Sequence, residues 1–164
     1  MRKLLLAIMA LAIAMADSAA AGPELRAFVR GSWQAILEAH RGQPTIVHFW
    51  GVTCGPCRLE MPQWGRLLRE HPGLGLVVID ADLVPNAPDA VSAVLAETGL
   101  AGAESWMFAD GFLERLRYEV DRQWHGEIPR TMLIARDGTI SAIEGSANME
   151  AVRAWLDAQG AGGR

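Results

Sequence analysis

Cys54 and Cys57 are the residues of this sequence whose types and spacing point most directly to chemistry. They are its only cysteines, and Gly55 and Pro56 separate them. If a helix begins at Cys54, the unpaired N–H groups of its first turn favour the thiolate, which is the nucleophilic form of the side chain. Cys57 then lies one turn away on the same face, close enough to close a disulfide ring with Cys54. Such a pair can attack a substrate disulfide and then release the reduced product by forming a disulfide between the two cysteines.

The same spacing also permits two readings without catalysis. The cysteines could form a structural disulfide, or they could supply half of a metal site. With only two cysteines in 164 residues, a scaffold of several disulfides and a zinc site of four cysteines are both excluded. A copper site built from Cys54, Cys57 and His125 is chemically allowed. We expect no metal, and no cofactor other than the redox-active Cys54–Cys57 disulfide.

Hydrophobic patterning predicts the elements that position the cysteine pair. Residues 45–50 form a nearly continuous apolar run, rich in β-branched and aromatic side chains, which is typical of a strand buried on both faces. Residues 74–80 form a second such run. Between them, a helix is predicted to begin at the cysteine pair and to end near His71. Its predicted inner face carries six side chains: Cys57, Leu59, Met61, Trp64, Leu67 and Leu68.

The remaining segments continue the alternation of helices and strands. Helices are predicted over residues 23–39, up to Glu97, over 112–120 and over 148–158, with a short strand at 104–108. Asp137-Gly138 lies between two apolar runs, which is a strong hairpin signal. This order predicts an α/β fold with a central mixed β-sheet, parallel at its centre and flanked by helices on both faces.

The first 21 residues have the pattern of a secretory signal peptide. A basic start is followed by thirteen residues without a polar side chain, at 4–16, and then by Ala19-Ala20-Ala21. A spanning helix needs about 20 apolar residues, although an uncleaved membrane anchor is the alternative. We therefore predict a signal peptide at 1–21, a single domain at 22–164, and a periplasmic location, where cysteines can cycle through a disulfide.

Charge and composition narrow the classes of partner. The formal net charge is −4, Lys3 is the only lysine, and the arginines are scattered along the chain. This excludes electrostatic binding to nucleic acid, which needs a basic stripe. The apolar fraction of 51% is enough for the core of one domain, and we expect a monomer.

Two segments resemble the TlpA/ResA-like extracytoplasmic thiol–disulfide oxidoreductases of the thioredoxin-like superfamily. Phe-Trp-Gly-Val-Thr-Cys-Gly-Pro-Cys at 49–57 is similar to the thioredoxin active site, and Arg-Leu-Glu-Met-Pro at 58–62 is similar to the segment that follows it in this branch. Ile-Pro-Arg-Thr-Met-Leu-Ile-Ala-Arg-Asp-Gly at 128–138 resembles the branch's cis-proline strand and hairpin. The long separation between the two segments matches the branch's central insertion. The resemblance covers residues 24–160 and implies a thioredoxin-like fold.

The resemblance implies a catalytic set of Cys54, Cys57, Glu60 and Pro129. Pro129 aligns with the cis-proline that packs beside the cysteines, and the backbone of Ile128 would pair with an extended substrate strand. Glu60 aligns with an active-site glutamate whose raised pKa suits proton exchange with the cysteines. The alternative for Glu60 is an ordinary solvated glutamate on a helix.

Three residues depart from the family pattern. His48 stands where thioredoxins carry a buried aspartate, and it would either relay a proton to Cys57 or be a hydrogen-bonded core histidine with a depressed pKa. Thr53 replaces an aromatic residue and should leave the surface beside Cys54 more polar. Arg130 would either favour the Cys54 thiolate or lie fully exposed.

Four tryptophans fall into two predicted groups. Trp106 and Trp124 are expected to form an aromatic wall of the substrate groove. Trp50 and Trp64 are expected in the core.

The predicted function is the reduction of disulfides in exported proteins. The Gly-Pro dipeptide favours a potential nearer to that of thioredoxin, about −270 mV, than to that of the oxidant DsbA, about −120 mV. By resemblance, the electrons would come from a membrane thiol–disulfide transporter of the DsbD/CcdA kind. The clients would be apocytochrome c or copper-site assembly proteins. A disulfide oxidase or isomerase and a non-enzymatic Cu(I)-binding chaperone are the alternatives.

Overall fold

Six strands and five helices are found in the computed structural model, which describes residues 24–84 and 86–160. The strands are β1 (Leu25–Phe28), β2 (Thr45–Trp50), β3 (Gly75–Asp80), β4 (Glu104–Phe108), β5 (Arg130–Ile134) and β6 (Ile140–Glu144). The helices are α1 (Ser32–Ala39), α2 (Gly55–Glu70), α3 (Pro88–Glu97), α4 (Leu113–Val120) and α5 (Met149–Ala158). The predicted signal peptide, residues 1–21, lies outside the described residues.

The strands form one mixed sheet in the order β1-β4-β3-β2-β5-β6. Strands β1 to β4 pair with one another in parallel. Strand β5 pairs antiparallel with β2, and β6 pairs antiparallel with β5. Every residue of β2 is buried, which accounts for its continuous apolar run. Gly138, with a φ of 88°, lies in the turn between β5 and β6. The predicted mixed sheet and the predicted Asp-Gly hairpin are both confirmed.

Helices cover both faces of the sheet, as the element order predicted. On one face α2, α3 and α5 pack over a core that includes Met61, Trp64 and Leu95. On the other face α1 and α4 pack over a core that includes Trp33 and Leu116. The strands in the middle of the sheet therefore contribute side chains to two separate cores.

The first element is a strand, and the predicted helix over residues 23–39 is wrong in its first half. Leu25–Phe28 pairs in parallel with β4 as an edge strand, and a helix begins only at Ser32, after Gly31 with a φ of 87°. Leu25 and Phe28 contact the cores on opposite faces of the sheet. Residues three apart share a face of a helix but point to opposite sides of a strand. The apolar spacing in this segment is therefore compatible with both elements, and pairing with β4 selects the strand.

One edge of the sheet collects residues from segments that are distant in sequence. The parallel strands end there, so that Cys54 follows β2 and Asp80 closes β3 at the same edge. Strand β5 runs in the opposite direction and begins at this edge, which brings Pro129 close to the cysteine pair. None of the helices within the described residues combines the length and the apolar character that crossing a membrane requires.

Candidate active site

Cys54 and Cys57 form a disulfide at the beginning of α2. Cys54 is the residue that caps this helix, and the backbone N–H of Cys57 points to its Sγ at 3.2 Å. Cys54 is partly exposed, whereas Cys57 is fully buried. The prediction that a helix begins at the cysteine pair is confirmed. This arrangement leaves one sulfur open to an incoming molecule and keeps the other behind it.

The segment before β5 lies against the disulfide. The Ile128–Pro129 peptide bond is cis, as the resemblance implied. Sγ of Cys54 lies 3.7 Å from the carbonyl oxygen of Ile128. The backbone of this segment is therefore next to the accessible sulfur, which is the placement expected for pairing with an extended substrate. The role of Pro129 in catalysis stays a prediction.

Glu60 lies on the buried face of α2, which the sequence pattern had assigned in part to Leu59. Leu59 is 80% exposed, whereas Glu60 is 3% exposed. Counting from Cys57, the spacing i, i+3, i+4 and i+7 of one helix face selects Glu60 and excludes Leu59. The carboxylate accepts hydrogen bonds from the backbone N–H of Ala147 at 3.0 Å and from the indole N–H of Trp64 at 3.3 Å.

The surroundings of Glu60 change its protonation. Burial raises the pKa of its carboxyl group above the usual value, and the hydrogen bonds from Trp64 and Ala147 offset this only in part. The alternative of a solvated helix glutamate is therefore wrong. A buried carboxyl group with a raised pKa, three residues after Cys57, is suited to exchange protons with the cysteines.

His48 is fully buried in β2 and lies next to Glu60. Its Nδ1 is within hydrogen-bond distance of the Thr131 hydroxyl, at 3.0 Å. Its Nε2 lies 3.2 Å from Oε1 of Glu60, but without the alignment of a hydrogen bond. Burial lowers the pKa of His48 to about 3, as expected from its predicted desolvation. The imidazole is therefore neutral at neutral pH, and its contact with Glu60 is not an ion pair.

Arg130 is buried and forms ion pairs with Asp121 and Glu144. It is 3% exposed, its guanidinium bonds to the carboxylate of Asp121, and a second nitrogen lies 3.3 Å from Glu144. The group also lies 5.7 Å from the centroid of the Trp124 ring, in the core on the α1/α4 face. The prediction of an exposed arginine is wrong, because two carboxylates and an aromatic ring hold the side chain inside. They also offset the positive charge that was expected to favour the Cys54 thiolate.

Of the two tryptophans predicted to line the substrate groove, Trp124 belongs instead to the core. Trp124 is 4% exposed and packs on Phe49 at 4.7 Å between ring centroids. Trp106 lies in β4, where its indole N–H donates to Glu104. The predicted aromatic wall is therefore wrong for Trp124, whose burial comes from packing against β2.

Trp50 and Trp64 meet their prediction. Both are fully buried in the core on the α2 face.

Sequence reasoning missed two buried carboxylates beside the cysteines. Asp80 and Asp82 are 3% and 8% exposed. Asp82 accepts hydrogen bonds from the backbone N–H of Thr53 at 3.0 Å and from its hydroxyl at 2.9 Å. Burial raises the pKa of Asp80, with a smaller contribution of the same sign from Asp82. Their position directly after a buried strand was the available signal, because the loops at the carboxyl edge of a parallel sheet meet in space.

The positions of Cys54, Cys57 and His125 can be compared with the copper site that the sequence allowed. Within 24–84 and 86–160, no group of three or more histidine, cysteine, aspartate or glutamate side chains is arranged to hold a metal ion. His125 therefore does not join Cys54 and Cys57 in such a group, and the geometry gives the copper-binding reading no support.

Comparison with known proteins places this site in context. No protein-family model matches the chain. Sporulation thiol-disulfide oxidoreductase A of Bacillus subtilis (strain 168) is 38% identical to it over 45 residues. That alignment spans 27% of this chain and 27% of the relative's own length.

Solved structures resemble the chain over a larger part of its length. A secreted disulfide oxidoreductase of Mycobacterium tuberculosis, described as homologous to E. coli DsbE, superimposes with a TM-score of 0.59 at 18% identity, covering 74% of this chain and 85% of that one. A thioredoxin family thiol:disulfide interchange protein from Chlorobium tepidum TLS gives 0.60 at 23% identity, with coverages of 75% and 83%. StoA from Bacillus subtilis gives 0.52 at 25% identity, with coverages of 71% and 84%.

These similarities confirm the thioredoxin-like fold that the two motifs predicted. The cysteine pair at the beginning of α2 and the cis-proline segment beside it occupy the places that the resemblance implied. The chain therefore has a thioredoxin-like fold, and the proteins that it resembles are described as thiol–disulfide oxidoreductases, one of them secreted.

Proposed function

We propose that the protein is a thiol–disulfide oxidoreductase that works through Cys54 and Cys57. The observation that carries this proposal is the asymmetry of the pair: Cys54 is partly exposed beside the Ile128 carbonyl, and Cys57 is fully buried behind it. A structural disulfide needs no such opening. The relationship to sporulation thiol-disulfide oxidoreductase A supports the same reading.

The reaction begins from the reduced pair. The Cys54 thiolate attacks one sulfur of a client disulfide, and the second client sulfur leaves as a thiolate that takes up a proton. The Cys57 thiolate then attacks Sγ of Cys54 in the mixed disulfide, and the first client sulfur leaves in the same way. Two electrons pass to the client, which becomes a dithiol, while the protein becomes the Cys54–Cys57 disulfide.

The second step needs a base for Cys57, because a buried thiol ionises poorly. Glu60 lies one turn further along the same buried face of α2, and its raised pKa suits it to accept that proton. Neutral His48 lies next to Glu60, and its other ring nitrogen is within hydrogen-bond distance of the Thr131 hydroxyl. Glu60 is the proposed proton acceptor, and Pro129 with Ile128 forms the proposed docking segment for the client backbone.

We further propose that the direction of transfer is reduction of exported proteins in the periplasm. The Gly-Pro dipeptide between the cysteines is the sequence feature that favours a reducing potential. A reductant in an oxidising compartment needs a supply of electrons, for which a membrane thiol–disulfide transporter of the DsbD/CcdA kind is the proposed donor. Apocytochrome c and copper-site assembly proteins are the proposed clients.

Redox equilibration of the purified protein against thiol buffers tests the direction. A midpoint below about −220 mV supports the reductase, and one above about −150 mV makes the protein an oxidant. Thiol alkylation and tryptophan fluorescence give two independent readings of the same midpoint.

Two cysteine variants test the chemistry itself. Cys54→Ser should abolish disulfide reduction, and Cys57→Ser should accumulate mixed disulfides with clients. Normal turnover by Cys54→Ser would show that the mechanism is wrong.

A further inference from the structure

Asp82 holds the residue that immediately precedes the exposed cysteine. Its two carboxylate oxygens accept separate hydrogen bonds from Thr53, one from the backbone N–H at 3.0 Å and one from the hydroxyl at 2.9 Å. Such a two-point contact fixes both the backbone and the side chain of Thr53. Since Cys54 is the next residue, its position at the beginning of α2 depends on this contact.

Asp82 is in turn held by its own neighbours. The Asn86 amide donates to Asp82 at 2.8 Å and to both oxygens of Asp80, at 2.9 and 3.1 Å. Gly51 packs directly against the carboxylate, because a Cβ atom there would lie 2.2 Å from Oδ1 of Asp82. The carboxylate is therefore enclosed between the loop after β2 and the loop after β3, and its orientation is fixed from both sides.

We propose that Asp82 is a positioning residue for the thiol–disulfide exchange, and that its charge keeps the Cys54–Cys57 pair reducing. The inference rests on the proposed function and names a second determinant of the same site. The negative charge of Asp82, bonded to the residue before Cys54, opposes the Cys54 thiolate, whereas the helix N-terminus and the Cys57 N–H favour it. Since a stabilised thiolate makes a cysteine pair more oxidising, the Asp82 carboxylate shifts the balance towards the reductant.

Other charged or titratable groups surround the cysteines, and Asp82 has a specific place among them. Arg58, in the first turns of α2, pairs with Glu97 of α3 at 3.6 Å, and Arg130 is paired with Asp121 and Glu144. Other titratable groups on α2, β2, β3 and the loop before β5, the elements that meet at this end of the sheet, are Glu60, His48, Asp80, His125 and Glu127. Asp82 differs from all of them in bonding directly to the residue next to Cys54.

Asp82→Asn tests the charge while keeping the shape of the side chain. We expect the pH midpoint of Cys54 alkylation in the reduced protein to fall, so that the alkylation rate below that midpoint rises about threefold. The redox midpoint should shift towards a more oxidising value. Asp89→Asn, which removes an exposed carboxylate from the first turn of α3, is the matched control and should change neither quantity.

Thr53→Val separates positioning from charge. It removes the hydroxyl contact and retains the Asp82 carboxylate, so the exchange rate with a disulfide substrate should fall while the alkylation midpoint stays in place. Thr53→Ser retains the hydroxyl and should restore the rate. Equal exchange rates for wild type and Thr53→Val would overturn the positioning role.

An unchanged alkylation profile and redox midpoint in folded Asp82→Asn would overturn the electrostatic role. If that variant does not fold, Asp80→Asn removes a charge from the same cluster and should shift both quantities in the same direction by less. An unchanged pair of values there would equally contradict the proposal. Alkylation of Cys54 needs no exchange activity, so a wild-type protein without activity would refute the proposed function while the charge effect is still measured.

Discussion

The carboxyl group of Glu60 and the imidazole of His48 face each other inside the protein, with 3.2 Å between Oε1 and Nε2. Both side chains are almost completely buried, and burial moves their protonation equilibria in opposite directions. The pKa of Glu60 is raised and that of His48 is lowered to about 3. Both groups are therefore driven towards their neutral forms. Because both shifts oppose charge, the pair limits the cost of burying an ion, and Glu60 is still placed where it can exchange a proton.

His48 should make the protein sensitive to acid. The folded state holds this proton more weakly than the unfolded chain, since the pKa falls from 6.5 to about 3 on folding. The unfolded chain therefore takes up the proton first, and stability falls as the pH drops through this window. Between pH 6.5 and 4.5 the loss should be about 2 kcal/mol. His48→Asn should remove it, as urea unfolding at both pH values would measure.

The comparison needs a histidine that is exposed. His125→Asn is the control, since His125 lies at the surface, and it should retain the acid sensitivity of the wild type. Glu60 and Asp80 titrate with the opposite sign, because their pKa values are raised and stability falls as the pH rises. The contribution of Asp80 is common to all three proteins and cancels in the difference, and repeating the comparison in a Glu60→Gln background removes that of Glu60, which contacts His48. A wild-type to His48→Asn difference that does not change with pH would contradict the prediction.

Glu60→Gln should slow disulfide exchange and change its pH profile. In the wild type the exchange rate should rise in two steps as the pH increases. The first step follows the loss of the Glu60 proton and lies above the usual carboxyl range, because the pKa of Glu60 is raised. The second follows ionisation of the thiols. The variant should lose the first rise and be at least about tenfold slower near neutral pH, because it lacks the base. Stopped-flow measurements with a small disulfide substrate would show both effects.

Glu114→Gln is the matched control for that experiment, since Glu114 is exposed on α4 and far from the cysteine pair in sequence. It should leave the profile unchanged. Two rises in the profile of Glu60→Gln would mean that another group accepts the proton.

Much of the fold was predictable because its strongest signals are local. The buried strand β2, the helix that begins at the cysteines and the Asp137-Gly138 turn each depend on residues that are close in sequence. Residues 25–28 were not predictable in this way. Their apolar spacing fits a helix equally well, and only the distant partner strand β4 decides in favour of the extended form.

The site was predictable where spacing carries the chemistry and unpredictable where tertiary contacts decide. Cys54 and Cys57 follow from the motif alone. For Arg130 the alternatives were an effect on the Cys54 thiolate and full exposure, because a sequence cannot show that Asp121 and Glu144 approach it from two other elements. Asp82 was missed for the same reason, since its contact with Thr53 joins loops that are separated in sequence.

Arg130→Ala should destabilise the protein without changing the reactivity of Cys54. The substitution removes a buried guanidinium and leaves the partly exposed Asp121 carboxylate without its partner, so we expect a cost of about 2 kcal/mol, less than for a fully buried pair. Arg130→Met should cost less, because its apolar chain still fills the space over Trp124. Urea unfolding measures the stability, and alkylation of the reduced protein measures the cysteine. A large change in the alkylation rate would show that the guanidinium acts on the thiolate after all.

Gly65→Ala should be among the most destabilising single substitutions in α2. A Cβ atom at Gly65 would lie 1.9 Å from the carbonyl oxygen of Thr98, which belongs to the backbone and cannot rotate away. The helix must therefore separate from the end of α3, and we expect a loss of about 3 kcal/mol even though alanine is the better helix former. Gly102→Ala is the control, because a Cβ atom there meets nothing within 4 Å. Thermal unfolding followed by circular dichroism measures both variants, and equal melting temperatures would show that α2 and α3 approach less closely than this contact requires.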